Sequence, residues 1–248
     1  MSRLRYLAGK SFFSILDAGL ASGLLPFAAR FPVGIRFRHD LSRFLGHAPS
    51  FIVDAGANVG QSALYFSRMW PGATIWSLEP VAGTYRSLVE NTRSNGRIRC
   101  IHAALGNRDG RGRMRLHANS ELNHLVMPAT DREEPPVPAE DVDVRTLDGI
   151  ALVEGIGRID LLKIDTEGSE LRVLEGAGGL LGESRIRAVY AECKFVRNES
   201  PHVLFEDIDR HLTDRGFFFS GFYEMYRWGP QKRFAAFANG LWLLKDAS

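Results

Sequence analysis

Cysteine is nearly absent from this chain. Cys100 and Cys193 are the only two in 248 residues, far apart and in no CxxC pair. That excludes a disulfide framework and points to a reduced, cytoplasmic compartment, with both thiols buried on strands. Charge of one sign is missing too: 31 Lys and Arg against 29 Asp and Glu leave a net +2, so neither a nucleic-acid partner nor a strongly anionic substrate is indicated. Internal repeats are absent, and no G-K-[ST] follows the glycine turn after residue 55, which excludes a Walker loop. Long apolar runs are lacking as well. Arg3, Arg5 and Lys10 precede an apolar stretch from Ala18 to Ala29 and imitate a signal peptide, but Asp17 interrupts the segment and Pro26 sits inside it. The uncharged stretch is too short to span a bilayer. Residues 1–49 therefore read as a helical extension packing on the domain or covering its site, with peripheral membrane contact as the alternative.

What is present begins at residue 51. Phe51-Ile-Val-Asp-Ala55 is an apolar run carrying Asp54, followed by Gly56, Asn58 and Gly60, and an amphipathic run starts at Gln61. A buried strand that breaks at glycines into a helix start lets a ligand approach the backbone closely. Nineteen residues beyond Gly60, a second apolar run, Thr74 to Leu78, ends in Glu79, where a carboxylate can accept hydrogen bonds from both hydroxyls of a ribose. The pattern describes a pocket for a nucleoside-containing cofactor, with Asp54, Gly56, Asn58, Gly60, Gln61 and Glu79 expected to hold it. A dinucleotide fingerprint counted from Gly56 would need glycines at Asn58 and Gln61. A cofactor with an amino-acid end and no phosphate tolerates Asn58 and can use Asp54 to fix its ammonium, directly or through water. S-adenosylmethionine is such a molecule, and the motif favours it over NAD.

From about residue 50 to 244 the order of motifs resembles the FkbM family of S-adenosylmethionine-dependent methyltransferases. The matching pieces are Val53-Asp-Ala-Gly-Ala-Asn-Val-Gly60, Leu78-Glu-Pro80, His102-Ala-Ala-Leu-Gly106 and the block Ile159 to Ala177, with its Lys-Ile-Asp-x-Glu-Gly core. The resemblance implies a single doubly wound α/β domain of class I methyltransferase type, Rossmann-like, with a seven-stranded, mostly parallel sheet. It implies S-adenosylhomocysteine as product and, most often in this family, methylation of a hydroxyl on a sugar or secondary metabolite. It also places Ala103 and Ala104 against the adenine, where their small side chains let a flat base lie on the backbone.

Alternating strands and helices agree with that architecture. Strands are expected near 51–55, 74–79, 98–104, 159–165, 187–193, 216–222 and 235–244, and helices over 61–69, 82–94, 169–175 and 202–215. The last two strands, separated by Gly229-Pro230, read as an antiparallel closing hairpin. Residues 118–141, with Pro128, Pro135, Pro136 and Pro138 and five acids between Asp131 and Asp141, break the pattern. Their composition gives no core element: 119–127 are expected in the pocket wall and 128–141 as a mobile, solvated loop. No domain linker is evident, so 50–248 form one domain.

Methyl transfer to oxygen needs alignment of the acceptor and a base for its proton. Candidates project from the carboxyl ends of the strands, where open α/β sheets bind ligands: Asp165 and Glu167 after the fourth, Glu192 in the fifth, and His124 on the long loop. Asp165 can alternatively hold the cofactor's amino end. Asp165 and Glu167 fall on the same side of an extended chain, which suits an ionised base with a hydrogen-bonded partner. Two ligands for a divalent cation, with Glu192 as third, is the alternative; the reading assigns no metal. Glu192 sits in Ala-Glu-Cys-Lys, whereas the family often has His two residues after this Glu; here the position is Lys194.

Overall fold

The computed structural model describes residues 32–117, 120, 123–126, 138–197 and 202–245. The central sheet forms because four short apolar runs alternate their side chains between two helical layers. Its strands are β1 (Phe51–Ala55), β2 (Thr74–Leu78), β3 (Ile98–Ile101), β8 (Leu161–Ile164), β9 (Ala188–Lys194), β10 (Phe217–Trp228) and β11 (Phe234–Leu244). Their order, β10-β11-β9-β8-β1-β2-β3, is parallel from β9 to β3, with β11 antiparallel to both its neighbours. This is the class I methyltransferase sheet, and the closing hairpin is as expected.

Period-two alternation sorts the core. Val53, Leu162, Ile164 and Trp242 face one helical layer: α4 (Leu147–Glu154), α5 (Glu170–Glu175), α6 (Gly178–Gly182) and α7 (Phe205–Thr213). Ile52, Ile75, Leu161 and Leu241 face the other, formed by α1 (Phe37–Leu45) and α2 (Gln61–Met69). Another helix, α3 (Ala82–Thr92), links β2 to β3. Trp242 and Phe217 are fully buried, each contributing about 1.5–3 kcal/mol by removal from water. The N-terminal segment joins this core: Phe37 stacks on Tyr190 at 3.9 Å, and the buried Asp40 accepts from Tyr223 Oη at 2.8 Å and from Gly34 N at 2.9 Å. The apolar run Ala18 to Ala29 lies outside the described residues, among which no helix is long and apolar enough to cross a membrane.

A second sheet was not anticipated. It contains β4 (Ala104–Leu105), β5 (Gly110–Arg115), β6 (His124–Val126) and β7 (Ala139–Arg145), in the order β4-β7-β5-β6. Residues 139–141, expected in a solvated loop, are paired in β7 instead. Its inner face buries Met114, Leu125, Val142 and Val144, while Arg111–Asp143 and Arg113–Asp141 pair across the strands on the outer face at 2.6 and 2.9 Å. Residues 128–137 lie outside the described residues. Helix α4 was also unexpected. Thr146 caps it by accepting from Gly149 N, and Gly155 ends it in the left-handed conformation. The helix expected over 202–215 begins only at Phe205.

Candidate active site

A cleft enclosing about 660 Å³, part of it open to solvent, lies at the carboxyl ends of β1, β2 and β8, with the second sheet as one wall. Gly56, Asn58, Glu79, Ala103, Ala104, Asp165 and Glu167 all line it. Why the turn after β1 needs glycine is clear from its neighbour. Gly56 has φ +77°, and a Cβ there would fall 1.8 Å from the Asp165 carbonyl oxygen, so only a bare backbone fits between the ends of β1 and β8. Glu79 is nearly buried, its two oxygens accepting from Asn58 N and Val81 N, each at 3.0 Å. Burial pushes its carboxyl up to about 7, against the downward pull of those two bonds. Asn58, at φ +48°, accepts from Ser120 Oγ at 3.0 Å and so ties the turn to the 118–141 segment. Ala103, Ala104 and Leu105 form a buried apolar slot with Met114 and Leu125.

Three residues expected to hold the cofactor, Asp54, Gly60 and Gln61, do not line the cleft. Asp54 is fully buried beneath the cleft, 3.1 Å from Lys163 Nζ. Lys163 also reaches Asp165 Oδ2 at 3.4 Å and donates to the Gly56 carbonyl at 3.3 Å. Burial pushes the Asp54 carboxyl up, and Lys163 pulls it back. The β1–β8 register sets Asp54 directly opposite Lys163, so the aspartate holds the floor of the site through that lysine. Gly60 serves packing: a Cβ would lie 3.0 Å from Leu88 and 3.1 Å from Thr92 of α3. Gln61 opens α2 as an exposed residue outside the cleft.

Of the expected bases, His124 is on β6 between Asn123 and Leu125, which line the cleft. Alternation turns His124 to the other face, beside His117 with ring centroids 5.4 Å apart, and it does not line the cavity. Asp165 stands at the end of β8 with its side chain 38% exposed, open to a ligand. The turn that follows is shaped by Glu170, a buried carboxylate that sequence reading passed over; it accepts from Thr166 N, Thr166 Oγ1 and Gly168 N at 3.0–3.1 Å. This holds Glu167 at φ +53°. Glu192 stands behind Glu167, away from the cavity lining, and His202 comes between them. Its Nδ1 is 3.0 Å from Glu192 Oε2 and its Nε2 is 3.4 Å from Glu167 Oε2. Burial pushes Glu167 up to about 8; His202 pulls it down, and the charges of Glu192, Asp165 and Glu170 add to the rise. An imidazole therefore stands beside Glu192 although Lys194 occupies the position where the family often has His. No sequence spacing marks His202, which returns to the site only through the topology between β9 and α7.

Comparison with known proteins agrees with this geometry. The family model for the methyltransferase FkbM domain matches residues 54–219. The chain is 32% identical over 146 residues to Methyltransferase 1 of Beauveria bassiana (strain ARSEF 2860), covering 51% of this chain and 58% of that protein. It is 33% identical over 170 residues to the 31-O-demethyl-FK506 methyltransferase FkbM of Streptomyces tacrolimicus, covering 57% and 64%. With the 2-O-methyltransferase NoeI of Sinorhizobium fredii (strain NBRC 101917 / NGR234) it shares 27% identity over 157 residues, covering 57% and 62%. It thus spans about three fifths of the length of each of these relatives. With the glycine turn, Glu79 and the Asp165–Glu170 turn all inside the matched segment, the chain belongs to the FkbM methyltransferase family.

Proposed function

We propose that this protein is an O-methyltransferase that moves the methyl group of S-adenosylmethionine to a hydroxyl of a small molecule, a sugar or secondary metabolite. One observation carries the reading: a bare glycine turn and a nearly buried carboxylate, Glu79, share a cleft with Asp165, an open carboxylate at its acceptor end. The residues present fit the donor. Each Glu79 oxygen takes one backbone N–H and keeps a lone pair for a ribose hydroxyl. The Ala103–Leu105 slot suits a flat base, and Gly56 would face the amino-acid end. The donor supplies an already activated methyl group, so this chain has to align the acceptor oxygen and accept its proton. We assign that role to Asp165, and its open carboxylate on the cleft supports the assignment. The printed names of two relatives, both O-methyltransferases, support oxygen as the acceptor atom.

Isothermal titration with S-adenosylhomocysteine, with NADH as control, tests the donor assignment. Micromolar binding of the former alone is expected; binding of NADH alone, or of neither, overturns it. Transfer of a labelled methyl group to a panel of hydroxylated sugars and metabolites, with the product linkage read by NMR, tests the oxygen.

A further inference from the structure

Behind Glu167, which lines the cleft, lies a side-chain cluster that the reaction above does not use. Glu167 comes from the turn after β8, Glu192 from β9 and His202 from the segment before α7. One ligand atom from each lies within 4.8 Å of the other two, and the three side chains are only 13–17% exposed. Glu192 Oε2 and His202 Nδ1 face each other at 3.0 Å, yet both are buried atoms that complete no hydrogen bond among the described residues. Two adjacent ligands at right angles around an ion with bonds of about 2.1 Å are separated by roughly 3 Å. The surrounding charge points the same way. Glu170 is satisfied by backbone and Thr166 donors, and Lys163 is committed to Asp54 and Asp165. Among the described residues, His202 lies between Glu167 and Glu192 as a shared ion-pair partner, in surroundings too dry to screen them well.

We propose that Glu167, Glu192 and His202 bind a divalent transition-metal cation, with its open coordination positions toward the cleft. Two carboxylates and one imidazole suit Mn²⁺, Fe²⁺, Co²⁺ or Zn²⁺ better than Ca²⁺ or Mg²⁺. The role of such an ion rests on the proposed methyl transfer: it would fix the acceptor hydroxyl and ease loss of its proton. Its binding does not depend on that reading.

The test is titration of the full chain, stripped with EDTA, with Mn²⁺ and separately Zn²⁺; free Mn²⁺ is counted by electron paramagnetic resonance and heats by calorimetry. One site per chain is expected. His202→Gln and Glu192→Gln should each weaken it at least about 100-fold, since even outer-shell partners of metal ligands matter by about 10–100-fold. Both variants should keep the wild-type melting profile and S-adenosylhomocysteine affinity, while Glu79→Gln should lose donor affinity and keep the metal. Absence of stoichiometric binding of either ion, or binding that survives both trio variants, overturns the proposal. Metal binding without binding of S-adenosylhomocysteine would instead count against the donor assignment alone.

Discussion

Acidification through neutrality should empty the donor site by titrating Glu79. Burial pushes this carboxyl up to about 7. Once protonated, one of its oxygens becomes a donor and can no longer accept both a backbone N–H and a ribose hydroxyl. If only the ionised form binds, the apparent Kd is the intrinsic value divided by the ionised fraction. That fraction is about nine-tenths at pH 8, about one-tenth at pH 6 and about one-hundredth at pH 5, so affinity should fall about tenfold and then about a hundredfold. Calorimetric titration with S-adenosylhomocysteine from pH 5 to 8.5, in two buffers of different ionisation enthalpy, reads both the affinity and the proton taken up. Glu79→Gln supplies the control. It should be weaker by about 1–3 kcal/mol at pH 8 and flat where the wild type slopes. Stability of the ligand-free chain should move the opposite way. A carboxyl raised from 4.5 to about 7 keeps its proton in the folded chain when the unfolded chain has released it. Glu79 therefore stabilises the fold relatively at low pH and subtracts on the order of 3 kcal/mol as pH rises through that window. A wild-type affinity independent of pH, or an equal slope in Glu79→Gln, would refute the placement of the ribose.

Two further outcomes follow from the floor and the open end of the site. Lys163→Met leaves the fully buried Asp54 without its counter-charge and should destabilise the chain by about 3–5 kcal/mol in urea. Adding Asp54→Asn should recover most of the loss, and a single variant as stable as wild type would show the pair to be inconsequential. Asp165→Asn should lower turnover by about 10²–10⁴ with S-adenosylhomocysteine affinity nearly unchanged; normal turnover would remove Asp165 from the mechanism.

The strands and helices that were legible in the sequence are those where periodicity and punctuation agree. β1, β2 and α2 fall where the apolar runs and glycines put them, as does the hairpin around Gly229-Pro230. The second sheet was hidden by composition. β7 reads Ala-Glu-Asp-Val-Asp-Val-Arg, and its charges belong to an outer face of cross-strand pairs. The alternation of Val142 and Val144 was the signal present, and the prolines nearby obscured it. At the site, Gly56, Asn58, Glu79, Ala103, Ala104, Asp165 and Glu167 were legible because motif residues at strand ends converge on one edge. Asp54 was placed on its strand, but its burial beneath the cleft against Lys163 was not legible, since that partner is set by register. Lys163, a lone cation in an apolar strand two residues before Asp165, could have been read as that partner. His202 could not, because its position depends on a path through three dimensions.

The anchoring of α1 bears on how much of the chain can stand alone. The family match runs from residue 54 to 219, yet the aromatic stack of Phe37 on Tyr190, the Trp70 indole donating to Ser42 at 2.9 Å and the Tyr223–Asp40 bond join material from outside that segment to material inside it or to each other. Phe37, Leu41 and Leu45 are buried, and each contributes about 1.5–3 kcal/mol against a total margin of about 5–15 kcal/mol for an ordinary domain. Cutting at residue 50 would bare the apolar patch around Phe66, Tyr190 and Leu241 and should yield aggregated protein. Chimeras between relatives will therefore have to move α1 together with the hairpin that it grips, because the stretch that the family model matches leaves out part of the core that covers it.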